Sequence, residues 1–539
     1  MATDGATSSL SLASPTNLPI DVAACHAMIL QLLKGHQQKD RTIESLEHRL
    51  DLLLRKLYGR SAEKIDPQQM ALFADLLKQL EQQTLAASAS PPPAAPPAPK
   101  PTGNGHGRRK LPADLPREKR IHDLPADQKP CPCCGKMREV IGQETSEQLD
   151  YVPGHAKVIE HVRLKYACKA CDANAAETGA QIVLASKPLS AIEKCLAAPR
   201  LLAFVTVSRF ADHLPYYRME HILARYGIQI ARSTLGGWEA EVATAITPLQ
   251  KLMIQQTLGS RILHTDDTPV DVLEPGRGKT RTGRFWVYVG DDDHPYVVFD
   301  YTPSRSRDGP MTFLKNWGKD ESRFLQADAF GGYDGIYAGE AGGLVTEVAC
   351  WTHARRKFFD AQASDVAGST QAIAYIRLLK EVEDDAENVL PAERARIRQE
   401  RAAPILVQFR SWLLSQQATV LPKSPMGQAI TYALNQWAAL TVYLLDGELD
   451  IDNNAAENAV RRIALGRKNW LFCGSDNGGR TAAILFSLIA TCQRHDVNAF
   501  DYLTDVLTRI AETPISRLPE LLPDRWKAHR AAAAATVPA

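Results

Sequence analysis

At 539 residues the chain is too long for one hydrophobic core and is expected to divide into several domains. Lys and Arg number 63 against 62 Asp and Glu, so there is no overall field to draw the molecule onto nucleic acid, and any DNA binding has to come from local patches. No apolar run reaches the roughly 20 residues of a membrane span, and the Ser/Thr-rich start lacks the basic end and apolar stretch of a signal peptide; a cytoplasmic protein with no membrane partner is expected.

Residues 1–20 read as disordered, and 21–84 as a helical N-terminal region. A seven-residue pattern runs through Ile29, Leu32, His36, Lys39, Ile43, Leu46, Leu50, Leu53 and Leu57, apolar except at His36 and Lys39. It fits a short coiled coil, or equally a helix folded back on the apolar stretch at 70–80. Residues 85–120 form a Pro/Ala-rich linker, with SASPPPAAPPAPKPTG at 88–103 too rich in Pro to build a core. Its end carries Lys100, Arg108, Arg109, Lys110, Arg117, Lys119 and Arg120 against Asp114 and Glu118. Such a basic segment can neutralise phosphates without reading bases, or can simply be solvated.

Residues 121–182 hold two CxxC pairs. Residues 187–257 read as helical, one helix ending near Gly227 and a second capped by Ser233, with Leu235, Trp238, Val242 and Ile246 on one face. That pattern fits a helix-turn-helix for a DNA groove or two helices packed for stability. From 260 to 364 the segments RILHTDDTPVDVL, RFWVYVGD, YVVFDY, RFLQADAF and LVTEVACW predict five strands. Helical periodicity returns at 365–447, as Ile373, Ile376, Leu379 and Val382 and again as Ile430, Leu434, Trp437 and Thr441. Residues 448–490 complete the strand-rich core with a Glu-bearing helix, 491–528 are a C-terminal helical region, and 529–539 an Ala-rich disordered tail. The whole reads as a multidomain α/β protein whose strand-rich core carries an all-helical insertion.

Cys131, Cys134, Cys168 and Cys171 offer four thiolates in two tight turns, enough to close a tetrahedral shell around one structural Zn²⁺. Cys133 could replace a neighbour, though its spacing from Cys131 suits a metal turn less well. Asp266 and Asp267 are adjacent on a strand, so only one can readily face a given site. Asp328 ends another strand before Gly331 and Gly332. Glu457 opens a helix three residues after Asn454, which is also a capping-box spacing. Arg461, Arg462, Arg467 and Lys468 follow it, and CWTHARRK contributes His353, Arg355, Arg356 and Lys357, cations where a phosphate backbone would lie and a histidine able to shuttle a proton. Three carboxylates are what two-metal phosphodiester chemistry requires, with two Mg²⁺ ions about 3.5–4 Å apart.

These motifs, with LYGRSAEKI at 57–65, LDYVPGHAKVIEHVRLKYACKAC at 149–171, HLPYYRMEHILARYGIQIARSTLGGW at 213–238, HTDDTPV, LQADAFGGY, CWTHARRKF, DNNAAENAVRRIALGRKNWLFCGSDNGG and the final ATCQRHDVNAFDYLTDVLTRIAETPISRLPELLPDRW, resemble the large transposase of the bacterial insertion sequences of type sixty-six, a branch of the DDE transposases. The resemblance runs from the heptad region to residue 527. It implies an RNase H-like mixed-sheet core with Asp266, Asp328 and Glu457 as the triad, two Mg²⁺ (or Mn²⁺) ions, cleavage at element ends by water, and attack of the freed 3′-hydroxyls on target DNA. It further implies terminal inverted repeats and target DNA as partners, a homo-oligomer associated with the nucleoid, and two small accessory proteins of the same element. The family often has Asp-Glu-Thr where this chain has Asp266-Asp267-Thr268, which leaves Asp267 as an alternative to Asp266. Rival readings are a zinc-dependent DNA-binding regulator with an inactive catalytic domain, against which the intact acidic triad argues, and an RNase H-like nuclease that cleaves without joining.

Overall fold

The computed structural model describes residues 157–167, 182–184, 189–274, 276 and 278–535. The chain divides into units 1–81 and 82–539, and every described residue belongs to the second. The heptad region, the basic linker and Cys131, Cys133, Cys134, Cys168 and Cys171 lie outside the described residues.

A short antiparallel pair, β1 (Lys165–Ala167) with β2 (Ile182–Leu184), comes first. Three helices follow: α1 (Pro199–Phe210), α2 (Tyr216–Arg225) and α3 (Arg232–Thr257). Helix α2 stops as the pattern predicts. Gly227 adopts φ +77°, a left-handed value that costs glycine nothing, and its N–H closes on the Ala224 carbonyl at 3.0 Å. The second helix starts earlier than expected, with Ala231 at the N-cap and no side-chain cap, so Ser233 sits inside the first turn. Leu235, Trp238, Val242 and Ile246 are buried in the same apolar cluster as the sheet. That face of α3 therefore serves internal packing.

Strands β3 (Ile262–Val272), β4 (Arg281–Val289), β5 (Val297–Thr302), β6 (Arg323–Ala327) and β7 (Val345–Ala349) are the five that the sequence predicts. Their order is β5-β4-β3-β6-β7: β3, β4 and β5 form an antiparallel meander, and β6 and β7 add parallel to β3. Strand β4 is covered on both faces. Phe285, Val287 and Val289 enter the larger core, while Trp286 and Tyr288, one residue out of phase, enter the smaller one with Tyr333 and Leu325. Edge strand β5 is protected by a later helix rather than left open.

After β7 come the insertion helices α4 (Trp351–Asp360), α5 (Val366–Asp385), α6 (Ala403–Gln417) and α7 (Pro425–Asn435). They gather around Phe409, whose ring lies 4.8 Å from Tyr375, 5.9 Å from Trp351 and 6.0 Å from Trp437. The chain then returns as α8 (Asn454–Trp470), a two-residue β8 (Phe472–Cys473), α9 (Asp476–Arg494), α10 (Ala499–Arg509) and α11 (Pro523–Ala535). Ser487 and Thr491 of α9 accept the backbone N–H groups of Phe299 and Val297 at 2.8 and 3.1 Å, which satisfies the free edge of β5. Helix α11 runs to Ala535 where a disordered tail from 529 was expected, because alanine is the strongest helix former. No helix among the described residues is long and apolar enough to cross a membrane.

The pairing around β3 positions the site. Its register with β6 ends at His264↔Gln326, and β8 takes up the same edge only at Asp271↔Phe472. Between these points the edge of β3 is open to whatever the returning chain places against it.

Candidate active site

Asp266 and Asp267 follow the last β3–β6 pair, and strand alternation separates them. Asp267 is held by two arginines: Arg284 of β4 at 2.7 Å and Arg305 of the loop after β5 at 2.6 Å, with its carboxylate only 1% exposed. Asp266 Oδ1 instead accepts the Asp267 N–H at 2.8 Å. Burial pushes the Asp266 carboxyl up to about 7, and the like charges of Asp328, Asp267 and Glu457 add to the rise against that one hydrogen bond. The two neighbours thus sit in different electrostatic surroundings, Asp267 paired with arginines and Asp266 raised by burial.

Asp328 stands one residue beyond the end of β6, where the backbone leaves the sheet. Its Oδ2 is 3.8 Å from Arg305 Nη2, and its Oδ1 is buried with no hydrogen-bond partner. Burial raises this carboxyl as well, with His353 and Arg305 acting in the opposite sense. Arg305 is steadied by stacking 3.8 Å over the Phe330 ring.

Glu457 reaches the site through the way α8 begins. Fully buried Asn453 donates from Nδ2 to the Thr265 carbonyl at 2.8 Å, takes a hydrogen bond on Oδ1 from His264 Nδ1 at 3.2 Å, and donates its backbone N–H to Cys350 Sγ at 3.2 Å. One residue therefore joins the open edge of β3, through its side chain, to the start of α8 and, through its backbone N–H, to the end of β7. The capping box is not formed. Asn453, not Asn454, is the N-cap, no side chain caps the helix, and the Asn454 amide turns back to Asp452 at 2.7 Å. Glu457 Oε1 is a buried atom without a hydrogen-bond partner, 3.6 Å from His353 Nδ1, which is equally unpartnered.

The remaining basic residues separate. Arg356, Arg461 and Lys468 are exposed and Arg355 is half-buried. Arg467, expected on a DNA-facing surface, instead donates to Thr268 Oγ1 at 2.9 Å and to the Pro269 carbonyl, tying α8 to β3. Sequence reasoning missed Arg284, Arg305, Asn453 and Cys350 as members of this neighbourhood. Asn453 carried a signal in the Asp-Asn-Asn run before Glu457 and Cys350 in its place at the head of CWTHARRK, whereas Arg284 and Arg305 are brought in by pairing and loop closure.

The described site residues fit a divalent metal centre: three carboxylates from separate elements, two of them with buried unpartnered oxygens and two with a raised proton affinity, form an anion-rich pocket.

Comparison with known proteins gives the family. The model described as "Transposase IS66 family" matches residues 194–481, that of the "zinc-finger binding domain of transposase IS66" matches 128–172, "Transposase C of IS166 homeodomain" matches 45–120, and "IS66 C-terminal element" matches 487–523. Similar full-length proteins occur in Sinorhizobium fredii. Uncharacterized protein y4hP is 32% identical over 92% of this chain and 90% of its own length, and uncharacterized protein y4qI is 31% identical over 94% and 93%. Uncharacterized protein y4jD is 33% identical over 79% of this chain and 83% of its own. With a catalytic-family model over more than half its length, a zinc-finger module before it and relatives along nearly the whole chain, this protein belongs to the IS66 family of transposases.

Proposed function

We propose that the chain is the DNA-cutting and DNA-joining subunit of its element, working through Asp266, Asp328 and Glu457 on an RNase H-like core. The observation that carries this reading is the convergence of the three carboxylates, from residues 62 and 129 positions apart in the chain, with a buried oxygen of Asp328 and one of Glu457 left without a hydrogen-bond partner. The sheet order, an antiparallel meander extended by two parallel strands, supports the fold assignment.

Asp266, Asp328 and Glu457 would hold two Mg²⁺ (or Mn²⁺) ions, which supply the charge that activates an attacking oxygen and stabilises a leaving one. The chain's own residues do the rest. Arg284 and Arg305 neutralise Asp267, and Asn453 fixes the β3 edge against the start of α8. His353 Nδ1, beside Glu457, can hold or release a proton at the site. Exposed Arg356, Arg461 and Lys468, with Arg355, provide the cations that position a phosphate backbone. Cys131, Cys134, Cys168 and Cys171 form the thiolate shell of one structural Zn²⁺, a donor set with no open position and hence no catalytic part. Element ends and target DNA are the partners, held by a homo-oligomer that pairs through residues 29–57 and acts with two small accessory proteins.

An oligonucleotide bearing one end of the element, with a free 3′-hydroxyl, supplies the test when it is incubated with supercoiled plasmid, Mg²⁺ and the purified protein. Covalent joining of the end into plasmid is expected. Nicking without joining would reduce the protein to a nuclease, and end binding with neither reaction would make it a regulator.

A further inference from the structure

Cys350, His353 and Glu457 meet where the chain leaves β7, starts α4 and starts α8. A thiol sulfur, an imidazole nitrogen and a carboxylate oxygen, one from each, all lie within 4.8 Å of one another. Cys350 is the N-cap of α4 and His353 its third residue, so the C-x-x-H spacing turns both toward the same end of the helix. His353 Nδ1 and Glu457 Oε1 are buried and have no hydrogen-bond partner. Two polar atoms that have lost water, make no hydrogen bond and face each other at 3.6 Å mark a place built to receive something.

The donor set says what. Mg²⁺ takes oxygen ligands in a strict octahedron and has no use for sulfur, whereas a set of sulfur, nitrogen and oxygen suits a borderline-soft ion that accepts four ligands. Bonds of about 2.0–2.3 Å in a tetrahedron place ligands roughly 3.3–3.8 Å apart. The His353–Glu457 separation of 3.6 Å is already within that range. The sulfur has at most about an ångström to close. Its hydrogen bond from the Asn453 N–H at 3.2 Å is the kind of outer contact that orients a metal-bound thiolate.

We propose that Cys350, His353 and Glu457 form an inhibitory Zn²⁺ site, separate from the structural cysteine module, that competes with Mg²⁺ for Glu457. The inhibition rests on the reading of Glu457 as a catalytic metal ligand; the zinc site itself does not. Three protein ligands leave a fourth position open to water. Free zinc would then hold the enzyme off by removing the one carboxylate that α8 brings to the pocket, and Mg²⁺ in excess would restore it.

The test uses the full chain with its cysteine module zinc-loaded, dialysed against micromolar free Zn²⁺, with bound zinc counted by atomic emission. Wild type should hold one zinc more than either Cys350→Ser or His353→Gln, and near-ultraviolet circular dichroism checks that both variants fold; Ser keeps an acceptor for the Asn453 N–H. In parallel, Zn²⁺ is titrated into Mg²⁺-dependent cleavage, each protein scaled to its own zinc-free rate. Wild type should lose about tenfold or more and recover with added Mg²⁺, while Cys350→Ser should lose about twofold or less, in line with the effect of removing one metal-supporting group. If a variant has no measurable cleavage, its zinc count alone decides. Equal zinc counts in wild type and both variants overturn the site. An additional bound zinc that leaves wild-type cleavage at full rate overturns the competition for Glu457. Should Glu457→Gln remain active in Mg²⁺ while wild type still binds the additional ion, the catalytic reading fails and the zinc site stands.

Discussion

Replacing Asp266 by Asn should abolish activity and yet stabilise the metal-free protein. The carboxyl titrates at about 7 in the folded chain against about 3.9 when exposed, a gap of about 3 pH units that amounts to ~4 kcal/mol. Between those values the folded state carries a proton that the unfolded state has released, so wild-type stability falls as pH rises from about 4 to about 7 and stays low above it. About two-thirds of the effect accrues above pH 5, and solvent on the open side of the carboxylate screens it to ~1–2 kcal/mol. Asn keeps an oxygen to accept the Asp267 N–H and carries no charge. Urea unfolding in Mg²⁺-free buffer without chelator, which leaves zinc in place, should therefore show Asp266→Asn gaining ~1–2 kcal/mol on wild type between pH 5 and pH 8. Millimolar Mg²⁺ should narrow the difference by stabilising wild type alone. A variant less stable than wild type at pH 8, or a difference flat with pH, would refute the view that burial strains this carboxylate.

Three further outcomes follow from named contacts. Asn453→Ala leaves the Thr265 carbonyl and His264 Nδ1 without their side-chain partner, and should cost about 1–3 kcal/mol in chemical unfolding together with much of the Mg²⁺-dependent cleavage; cleavage at the wild-type rate would deny Asn453 its positioning role. Purified protein should carry one tightly held zinc in its cysteine module, and Cys168→Ser should lose it along with the module's protease resistance, as metal analysis and limited proteolysis would show. Deleting residues 1–60 should lower the sedimentation mass to that of a single chain; an unchanged stoichiometry would favour the helical hairpin over the coiled coil.

The strands were legible because β-branched and aromatic residues alternate between Gly, Asp and Pro punctuation, and the same alternation showed that Asp266 and Asp267 could not share a face. Which of the two pairs with cations was not legible, since it depends on Arg284 reaching across from β4 and Arg305 folding back from a loop. Glu457 was ambiguous for the same reason. The Asn454–Glu457 spacing of a capping box is local, while the contacts that displace it, from Asn453 to Thr265, His264 and Cys350, span 103 to 189 residues. Arg467 looked like part of a basic surface because charge is visible in sequence and the carbonyl it caps is not. β8 escaped notice because two residues carry no period, and the Ala-rich end was taken for a frayed tail although its composition favours helix.

The most direct measurement is Mg²⁺-dependent cleavage and joining of element ends by Glu457→Gln, alongside end binding by the same protein. Gln matches the size and hydrogen-bonding reach of Glu but lacks the charge that holds a divalent ion. With Glu457 as a metal ligand, the variant should bind ends as wild type does and lose both reactions by on the order of a thousandfold or more. Near-normal cleavage in Mg²⁺ would remove Glu457, and with it the triad, from the chemistry.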